Sequence, residues 1–458
     1  MSKPLEPFRI KVVEPVKMIG REERERLIRE AGFNIFKIPA ESVFIDLLTD
    51  SGTSAMSDRQ WAGIMMGDES YAGSKNFYHL QEVVQDLMGF KFVLPTHQGR
   101  AAENILFSTI AKKGDVIPNN IHFDTTRANV EYLGATALDC VVDEGLNPAL
   151  ELPFKGNMDP AKLKAAIDKY GVEKIPMVGM TITNNSGGGQ PVSMANIREI
   201  GEICRSYGIP FFIDSARFAE NAYFIKLREP GYQDKSVKEI VREMYSHADG
   251  CWVSAKKDGL VNIGGFIALN DEGLYQKLQN LLILREGFPT YGGLSGRDLE
   301  ALARGLEDVM NEDYLHYRIQ HTAYLGRLIE ELGIPIVKPV GGHAVYIDAK
   351  SFLPHIPQSQ FPGQALTVAL YRFGGIRAVE IGSLMFASRH PETGEWQYPA
   401  MDLVRLAIPR RVYTASHLEY VADVLAKIKK EKDSLKGLRM TYEPPFLRHF
   451  TVLLEEID

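Results

Sequence analysis

The chain has 458 residues, of which 45% are hydrophobic and 24% charged, and its formal net charge is −7. This length predicts at least two domains of a globular protein, and the negative charge argues against nucleic acid and anionic membranes as partners. The apolar stretches fall short of the ~20 residues of a membrane span. The first residues show no signal-peptide apolar region, and the three cysteines lie far apart in sequence. We therefore expect a cytoplasmic α/β protein.

The first informative element is a predicted strand at residues 90–94, which is followed by the sequence PTHQGR at residues 95–100 and by a helix from about Ala101. Amides at the start of a helix point at any bound anion, and Gly99 lets the backbone approach closely. Arg100 adds guanidinium donors that suit phosphate. The pattern indicates an anion site. A tight turn that carries a surface arginine is the alternative interpretation.

The middle of the chain alternates between predicted strands and helices. A strand at residues 175–183 precedes a helix that Ser193 caps and Gly208 ends, and the next strand ends at Asp214. A capping box predicts a helix at residues 236–246, and a strand at residues 251–253 follows. Such alternation predicts a largely parallel sheet.

Two of these strands end in ionisable residues, Asp214 and the pair Lys256 and Lys257. The carboxyl ends of strands are where open α/β sheets bind ligands. An aspartate there could pair with the pyridinium nitrogen of pyridoxal phosphate, and a lysine could form a Schiff base with its aldehyde. Ser254 could add a hydroxyl to the phosphate site. The spacing does not choose between the two lysines, and an ordinary ion pair or a helix cap is the alternative.

A second region begins near Asn311. Its pattern predicts a helix at residues 314–332, a strand at residues 343–348, and a helix at residues 414–435 that Gly437 ends.

Seven segments spread along the chain resemble the pyridoxal phosphate-dependent β-eliminating lyases, the family of tryptophanases and tyrosine phenol-lyases. They are residues 6–10, 45–53, 67–74, 95–100, 188–193, 220–226 and 410–414. The resemblance implies an α/β fold of type I, like aspartate aminotransferase, with a mainly parallel sheet in the large domain and a smaller α+β domain. It further implies an N-terminal arm at residues 1–18, a small domain at 19–48 and 312–458, a large domain at 49–311, and a homotetramer.

The family's cofactor residues have counterparts at matching positions. Lys257 resembles the Schiff-base lysine, and Asp214 resembles the partner of the pyridine nitrogen, whose protonated form a carboxylate favours. Phe123 resembles the aromatic residue that stacks on the ring. Lys256 resembles the neighbour of the Schiff-base lysine, and Arg217 and Asn185 resemble the residues near the phenolic oxygen of the cofactor. The counterparts of the phosphate cradle are Gln98, Gly99, Arg100 and Ser254.

Substrate and cation residues also have counterparts. Arg405 resembles the residue that holds the substrate carboxylate, for which a bidentate guanidinium is suited. Thr49 and Ser51 would line the same pocket. Glu69 and the backbone carbonyls of Gly52 and Asn262 resemble a potassium site, and such all-oxygen ligation suits a hard cation.

The resemblance implies β-elimination of an aromatic amino acid. Lys257 would take the Cα proton, and the cofactor would store the charge as a quinonoid. Tyr71 is the candidate for protonating the leaving ring, and the resulting aminoacrylate would hydrolyse to pyruvate and ammonia. A fold-type-I transaminase and a non-catalytic binding or assembly protein are the alternatives from other classes.

Three positions resemble the tryptophanases, which implies L-tryptophan as substrate and L-tyrosine as the alternative. Asp124, Ile381 and His449 stand where phenol-lyases have Thr, Arg and Phe. An indole N–H suits the Asp124 carboxylate, and Ile381 avoids burying a guanidinium, which would cost several kcal/mol. The short connection at residues 112–120 is instead typical of phenol-lyases. Ala101 and Gly187 also depart from the family pattern.

Overall fold

The computed structural model describes residues 3–390 and 392–457, which form two compact units. The first unit comprises the chain up to Asp50, Leu146–Leu152, and the chain from Tyr317 onward. The second unit comprises Ser51–Gly145 and Pro153–His316. The domain boundaries that the sequence suggested stay a prediction. Across the described residues, no helix is long and apolar enough to cross a membrane.

The helices, in chain order, are α1 (Arg21–Glu30), α2 (Asp58–Met65), α3 (Lys75–Met88), α4 (Gly99–Ile110), α5 (Asp124–Tyr132), α6 (Pro160–Tyr170), α7 (Met194–Tyr207), α8 (Phe218–Arg228), α9 (Val237–Ser246), α10 (Glu272–Arg285), α11 (Gly296–Asp308), α12 (Glu312–Glu331), α13 (Ala349–Phe352), α14 (Pro362–Gly374), α15 (Ser383–Phe386) and α16 (Ala415–Glu431).

The strands are β1 (Ile45–Asp46), β2 (Phe92–Thr96), β3 (Val116–Asn119), β4 (Thr136–Asp139), β5 (Val178–Thr181), β6 (Phe211–Asp214), β7 (Gly250–Val253), β8 (Gly265–Leu269), β9 (Ala344–Asp348), β10 (Ile376–Arg377), β11 (Val379–Ile381), β12 (Ser388–Arg389), β13 (Trp396–Gln397), β14 (Leu403–Ala407), β15 (Leu438–Tyr442) and β16 (Leu453–Glu456).

The second unit is built on a five-stranded sheet with the order β2-β8-β7-β6-β5. Strands β5, β6 and β7 are parallel, whereas β8 runs antiparallel to both of its neighbours. All residues of β5, β6, β7 and β8 are buried. This burial fits strands that read as continuous apolar runs. The mainly parallel sheet expected from the sequence is confirmed, and β8 is its one reversed strand.

Side-chain caps fix the helices of this unit where the sequence predicted them. The Ser193 hydroxyl accepts a hydrogen bond from Asn196 N–H at the start of α7, and Gly208 ends that helix with φ of 69°. Ser236 and Glu239 form the predicted capping box at the start of α9. Each cap supplies a partner to first-turn N–H groups that the helix itself leaves unpaired.

Helix α8 was not predicted from the sequence, which placed only α9 between the strands now seen as β6 and β7. Every residue of α8 from Phe218 to Ile225 is buried. A helix that is buried on all sides does not show the apolar stripe from which helices are recognised. The helix matters for the site because it starts directly after the loop that follows Asp214.

The first unit contains a three-stranded antiparallel sheet with the order β11-β14-β9. Helices α14 and α16 pack over its apolar core, and this arrangement confirms the smaller α+β part. The prediction that Gly437 ends the last long helix is wrong, because α16 ends at Glu431 and one 3₁₀ turn follows. The Ser434 hydroxyl donates to the Glu431 carbonyl at 2.7 Å. This side chain takes the place of the backbone N–H that would bind the same carbonyl if the helix continued for another turn.

Candidate active site

A cavity of about 100 Å³ opens in the second unit at the carboxyl ends of β5, β6 and β7. These ends are adjacent because the strands are parallel and in register, with Asp214 paired to Thr181 on one side and to Trp252 on the other. The cavity is lined by Ser51, Gln98, Gly99, Arg100, Glu103, Phe123, Thr125, Thr181, Asn185, Asp214, Ala216, Arg217, Trp252, Ser254, Lys256 and Lys257. The structure thus brings together every predicted cofactor residue and Ser51.

One wall of this cavity has the form of an anion cradle. Helix α4 begins at Gly99, after the extended residue Gln98, and these two residues and Arg100 line the cavity, so the unpaired amides of the first helical turn lie at its wall. A Cβ atom on Gly99 would lie 2.6 Å from the Ser254 Cα atom. Two backbone segments therefore meet here at a distance that glycine alone permits. The donor set of helix amides, the Ser254 hydroxyl and the Arg100 guanidinium fits a phosphate group.

We expect Gly99→Ala to weaken binding of pyridoxal phosphate by at least about ten-fold. The added methyl group forces Ser254 and α4 apart, and such overpacking costs about 1–3 kcal/mol. Equilibrium dialysis of the cofactor measures the change. Gly273→Ala in α10 is the matched control, since its Cβ would meet only Asp271 Oδ1 at 3.4 Å. Equal cofactor affinity in the two variants would contradict the proposal that the close contact of Gly99 with Ser254 forms the phosphate site.

Asp214 is a buried carboxylate at the end of β6, and its pKa is raised to about 7. Burial is the largest cause, the negative charge of Glu103 adds to it, and the charges of Lys257 and Arg217 oppose it. A cation placed against Asp214 would favour the ionised form of the carboxylate. The protonated pyridine nitrogen of pyridoxal phosphate is such a cation, so the residues present fit this group.

Glu103 is a second carboxylate in the cavity wall, and the sequence reasoning missed it. The Thr125 and Thr126 hydroxyls donate to its two oxygens at 3.1 and 2.6 Å. Burial is the main reason that its pKa is raised, and Asp124 adds to the effect. The sequence did hold a signal, because Glu103 follows Gly99 by four residues on α4, and residues at that spacing share one face of a helix.

The two adjacent lysines occupy different surroundings. Lys257 Nζ donates to Ser254 Oγ at 2.7 Å, and its charge opposes the rise in the pKa of both Asp214 and Glu103. Lys256 Cε lies 3.1 Å from the position of a Cβ on Gly52, and burial lowers the pKa of Lys256, with Arg100 adding to the effect. Lys257 is therefore the lysine whose charge acts on the carboxylates of the cavity.

The segment that precedes α5 places an aromatic ring and an acid side by side. Phe123 is half-buried and lines the cavity. Asp124 is buried at the first position of α5, where its Oδ1 accepts from the Thr125 N–H at 2.7 Å. Asn185 and Arg217 are buried and line the cavity as well.

Tyr71 lies at the surface of the second unit. Its side chain is 70% exposed, and its ring centroid is 5.8 Å from that of Phe288 and 5.3 Å from that of Tyr291. Among the described residues, the cavity wall does not include Tyr71. Its role in proton transfer stays a prediction.

Two of the three predicted potassium ligands, Gly52 and Asn262, lie close together. A Cβ on Gly52 would lie 3.0 Å from the Asn262 carbonyl oxygen, and Asn262 Nδ2 donates to the Gly52 carbonyl at 2.9 Å. Glu69 instead accepts from the Gly296 N–H at 2.9 Å and pairs with Arg297 at 2.8 Å. Over the described part of the chain, no group of three or more His, Cys, Asp or Glu side chains could hold a metal ion.

Four predicted site residues lie in the first unit. Arg405, in β14, is mostly buried and donates through Nη2 to the Leu48 carbonyl at 2.9 Å, one residue from the half-buried Thr49. Ile381, in β11, is only 2% exposed and opposes Leu403 across the sheet. It packs in an apolar cluster with Val337, Ala344, Tyr346, Val379, Met401, Leu403 and Ala407.

His449 occupies a short 3₁₀ turn, Arg448–Phe450, in the same unit. Its ring is buried, with centroids 5.8 Å from Phe36 and 4.0 Å from Phe450. Its backbone carbonyl accepts from Asn34 Nδ2 at 3.3 Å. The His449 ring thus packs against two phenylalanine rings, and its role in substrate selection stays a prediction.

The family model described as "Beta-eliminating lyase" matches residues 46–424. A tryptophanase of Salinibacter ruber is 60% identical over 98% of this chain and 95% of its own length. A tyrosine phenol-lyase of Symbiobacterium sp. is 54% identical over 99% of both chains. A solved structure of a serine palmitoyltransferase from S. paucimobilis, with a bound PLP–myriocin aldimine, has a TM-score of 0.55 over 85% of this chain and 88% of its own, at 12% identity.

The structural likeness shows the fold, which is that of the fold-type-I pyridoxal phosphate enzymes. The sequence relatives carry both substrate names at similar identity. From the family model and these full-length relatives, this chain belongs to the β-eliminating lyase family and is a pyridoxal phosphate-dependent lyase.

Proposed function

We propose that the protein cleaves L-tryptophan into indole, pyruvate and ammonia. Family membership supplies the reaction class. The observation that favours L-tryptophan as the substrate is the position of Ile381. Its side chain is nearly fully buried among apolar residues of β11, β14 and β9. An arginine at this position would put a guanidinium among these apolar side chains, at a cost of several kcal/mol.

Bound pyridoxal phosphate would supply an electron sink that stabilises negative charge at the substrate Cα. Lys257 Nζ would bind the cofactor and then take the Cα proton, for which its 2.7 Å hydrogen bond to Ser254 orients it. Asp214 would keep the proton on the pyridine nitrogen. Phe123 would stack on the ring, with Asn185 and Arg217 facing its phenolic oxygen.

The proposed substrate residues follow the resemblance in sequence to the lyase family. Arg405 would bind the substrate carboxylate through its guanidinium, with Thr49 and Ser51 beside it. Tyr71 would deliver the proton that makes the aromatic ring a leaving group, because an aryl carbanion is too poor a leaving group by itself. Asp124 would accept from the indole N–H, and His449 would border the ring.

Cleavage of L-tyrosine to phenol is the second candidate. It is favoured by the 54% identity to a tyrosine phenol-lyase over 99% of the chain and by the short connection at residues 112–120. Potassium at Gly52, Glu69 and Asn262, assembly as a homotetramer, and a cytoplasmic location belong to the same proposal. They rest on the resemblance in sequence to the lyase family.

Parallel incubation with L-tryptophan and L-tyrosine tests the substrate. Both reactions contain pyridoxal phosphate and potassium, and indole, phenol and pyruvate are measured. We expect indole in equal amount to pyruvate, with little phenol. Phenol as the main aromatic product would reject L-tryptophan while leaving the β-elimination in place.

We expect Ile381→Arg to lower L-tryptophan cleavage by at least about 100-fold, because an unpaired buried charge costs several kcal/mol. Tyrosine cleavage should not appear, since Asp124 and His449 remain. The two substrate assays and a thermal unfolding curve measure the result. Ile381→Leu, which conserves volume, should keep most of the activity. Efficient tyrosine cleavage by Ile381→Arg would refute the proposal that Asp124 and His449 also select the substrate.

A further inference from the structure

Asp258 directly follows Lys257, and its side chain is fully buried. Its Oδ2 accepts hydrogen bonds from the backbone N–H groups of Ala219 at 2.8 Å and Glu220 at 3.2 Å. Both donors belong to the first turn of α8. The carboxylate therefore caps a helix from a loop that lies about 40 residues further along the chain.

The helix that Asp258 caps continues from the loop that follows Asp214 and contains Arg217. The first N–H groups of a helix have no partners within it, and burying such a group unpaired costs free energy. A carboxylate at this end also interacts favourably with the helix dipole. The start of α8, and with it the loop before it, is held by the residue next to Lys257.

A backbone hydrogen bond adds to this connection. The N–H of Asp258 donates to the Ala216 carbonyl at 3.3 Å, so one hydrogen bond to this loop and two to the start of α8 hold Asp258 in place. The turn with Lys257 is itself tightly held. A Cβ on Gly259 would lie 2.5 Å from the Ala255 carbonyl oxygen, and the Leu260 carbonyl accepts from Gln60 Nε2 at 3.0 Å.

We propose that Asp258 is a positioning residue that fixes Lys257 relative to Asp214 and Arg217. This inference rests on the proposed roles of those three residues toward pyridoxal phosphate. Lys257 would hold one end of the bound cofactor and Asp214 the other, so the two groups must lie at the right separation. The distance between the loops then decides whether both contacts form together, and small misplacements of reacting groups lower rates strongly.

The test compares Asp258→Asn with Asp159→Asn. Asp159, which is only half-buried, caps α6 at nearly the same hydrogen-bond distances, accepting from Ala161 N–H at 2.8 Å and Lys162 N–H at 3.3 Å. The pair therefore separates loss of a helix cap from loss of the connection to Lys257. For each holoenzyme, the thermal unfolding temperature, the pH titration of the violet absorbance band of the bound cofactor, kcat and KM are measured.

We expect both variants to lose some thermal stability, since each weakens an aspartate cap. Asp258→Asn alone should move the titration of the violet band to lower pH, by about half a pH unit or more, because a negative charge beside Lys257 is lost. Its kcat should fall at least about ten-fold with KM changed less than about two-fold. A titration and kcat equal to those of Asp159→Asn would overturn the proposal.

Two further results keep the test decisive. If Asp258→Asn does not fold, Asp258→Ser keeps a capping oxygen without the charge and should show the same shift of the titration; an unshifted titration would overturn the proposal. If the wild-type protein carries no cofactor on Lys257, the proposed function itself fails, and this outcome is visible before any variant is made.

Discussion

Lys257→Ala is expected to reduce turnover by about 10²–10⁴-fold or more, because the variant loses both the covalent hold on the cofactor and the base for the Cα proton. The violet absorbance band of the lysine-bound cofactor should be absent from the variant. Lys257 is the lysine that donates to Ser254 and whose charge acts on Asp214 and Glu103. Pyruvate formation and the absorbance spectrum measure the change.

Lys256→Ala is the matched comparison because it removes the same amine one residue away. In the wild-type protein the charge of Lys256 lies near Arg100, and burial lowers the pKa of Lys256. We expect this variant to bind pyridoxal phosphate more weakly and still to show the violet band. The reverse result, with the band lost in Lys256→Ala and kept in Lys257→Ala, would exchange the roles of the two lysines.

Asp214→Asn is expected to have opposite effects on activity and on the stability of the cofactor-free protein. An amide cannot hold the proton on the pyridine nitrogen as a carboxylate does, so turnover should fall by ~10²-fold or more. The cofactor-free protein, measured at pH 8, should unfold about 2–4 °C higher than the wild type. This gain follows from the pKa of Asp214, which burial and then Glu103 raise to about 7.

The direction of this stability change follows from the unfolded chain, in which an aspartate has a pKa of about 3.9. Below that pH the protonated Asp214 contributes its full stability, and this contribution is lost as the pH rises through about 7. At pH 8 the wild type therefore bears a buried charge that the asparagine lacks. The gain from Asp214→Asn should vanish near pH 4.

Asp139→Asn provides a control of opposite sign. The pKa of Asp139 is lowered because the hydrogen bond from His122 and the charge of Arg127 outweigh the effect of burial. An ionised Asp139 thus stabilises the fold above its unfolded pKa, so Asp139→Asn should lower the unfolding temperature at pH 8. For Asp214 itself, destabilisation of the cofactor-free protein by Asp214→Asn at pH 8 would contradict the raised pKa given to that carboxyl.

The features that follow from local sequence were predictable. The apolar runs that end at Asp214 and before Ser254 are strands β6 and β7, and the caps at Ser193 and Ser236 start helices. These features depend on hydrophobic runs and on residues three positions apart, which a single sequence displays directly. The position of the cavity followed, because parallel strands present their carboxyl ends together.

The features that depend on distant contacts were not predictable in the same way. Helix α8 is buried on all sides and so lacks an apolar stripe. Asp258 caps it from 38 and 39 residues away in the chain, a relation that no local pattern reveals. The difference between Lys256 and Lys257 likewise comes from which side chain reaches Ser254.

Borohydride reduction of the wild-type protein with pyridoxal phosphate, followed by peptide mapping, tests most directly whether this cavity is the active site. Reduction converts the carbon–nitrogen double bond to a stable amine and so marks the lysine that holds the cofactor. We predict the mark on Lys257. A mark on Lys256, or on the buried Lys155, whose pKa burial lowers to about 8, would contradict the roles given to the residues around Asp214.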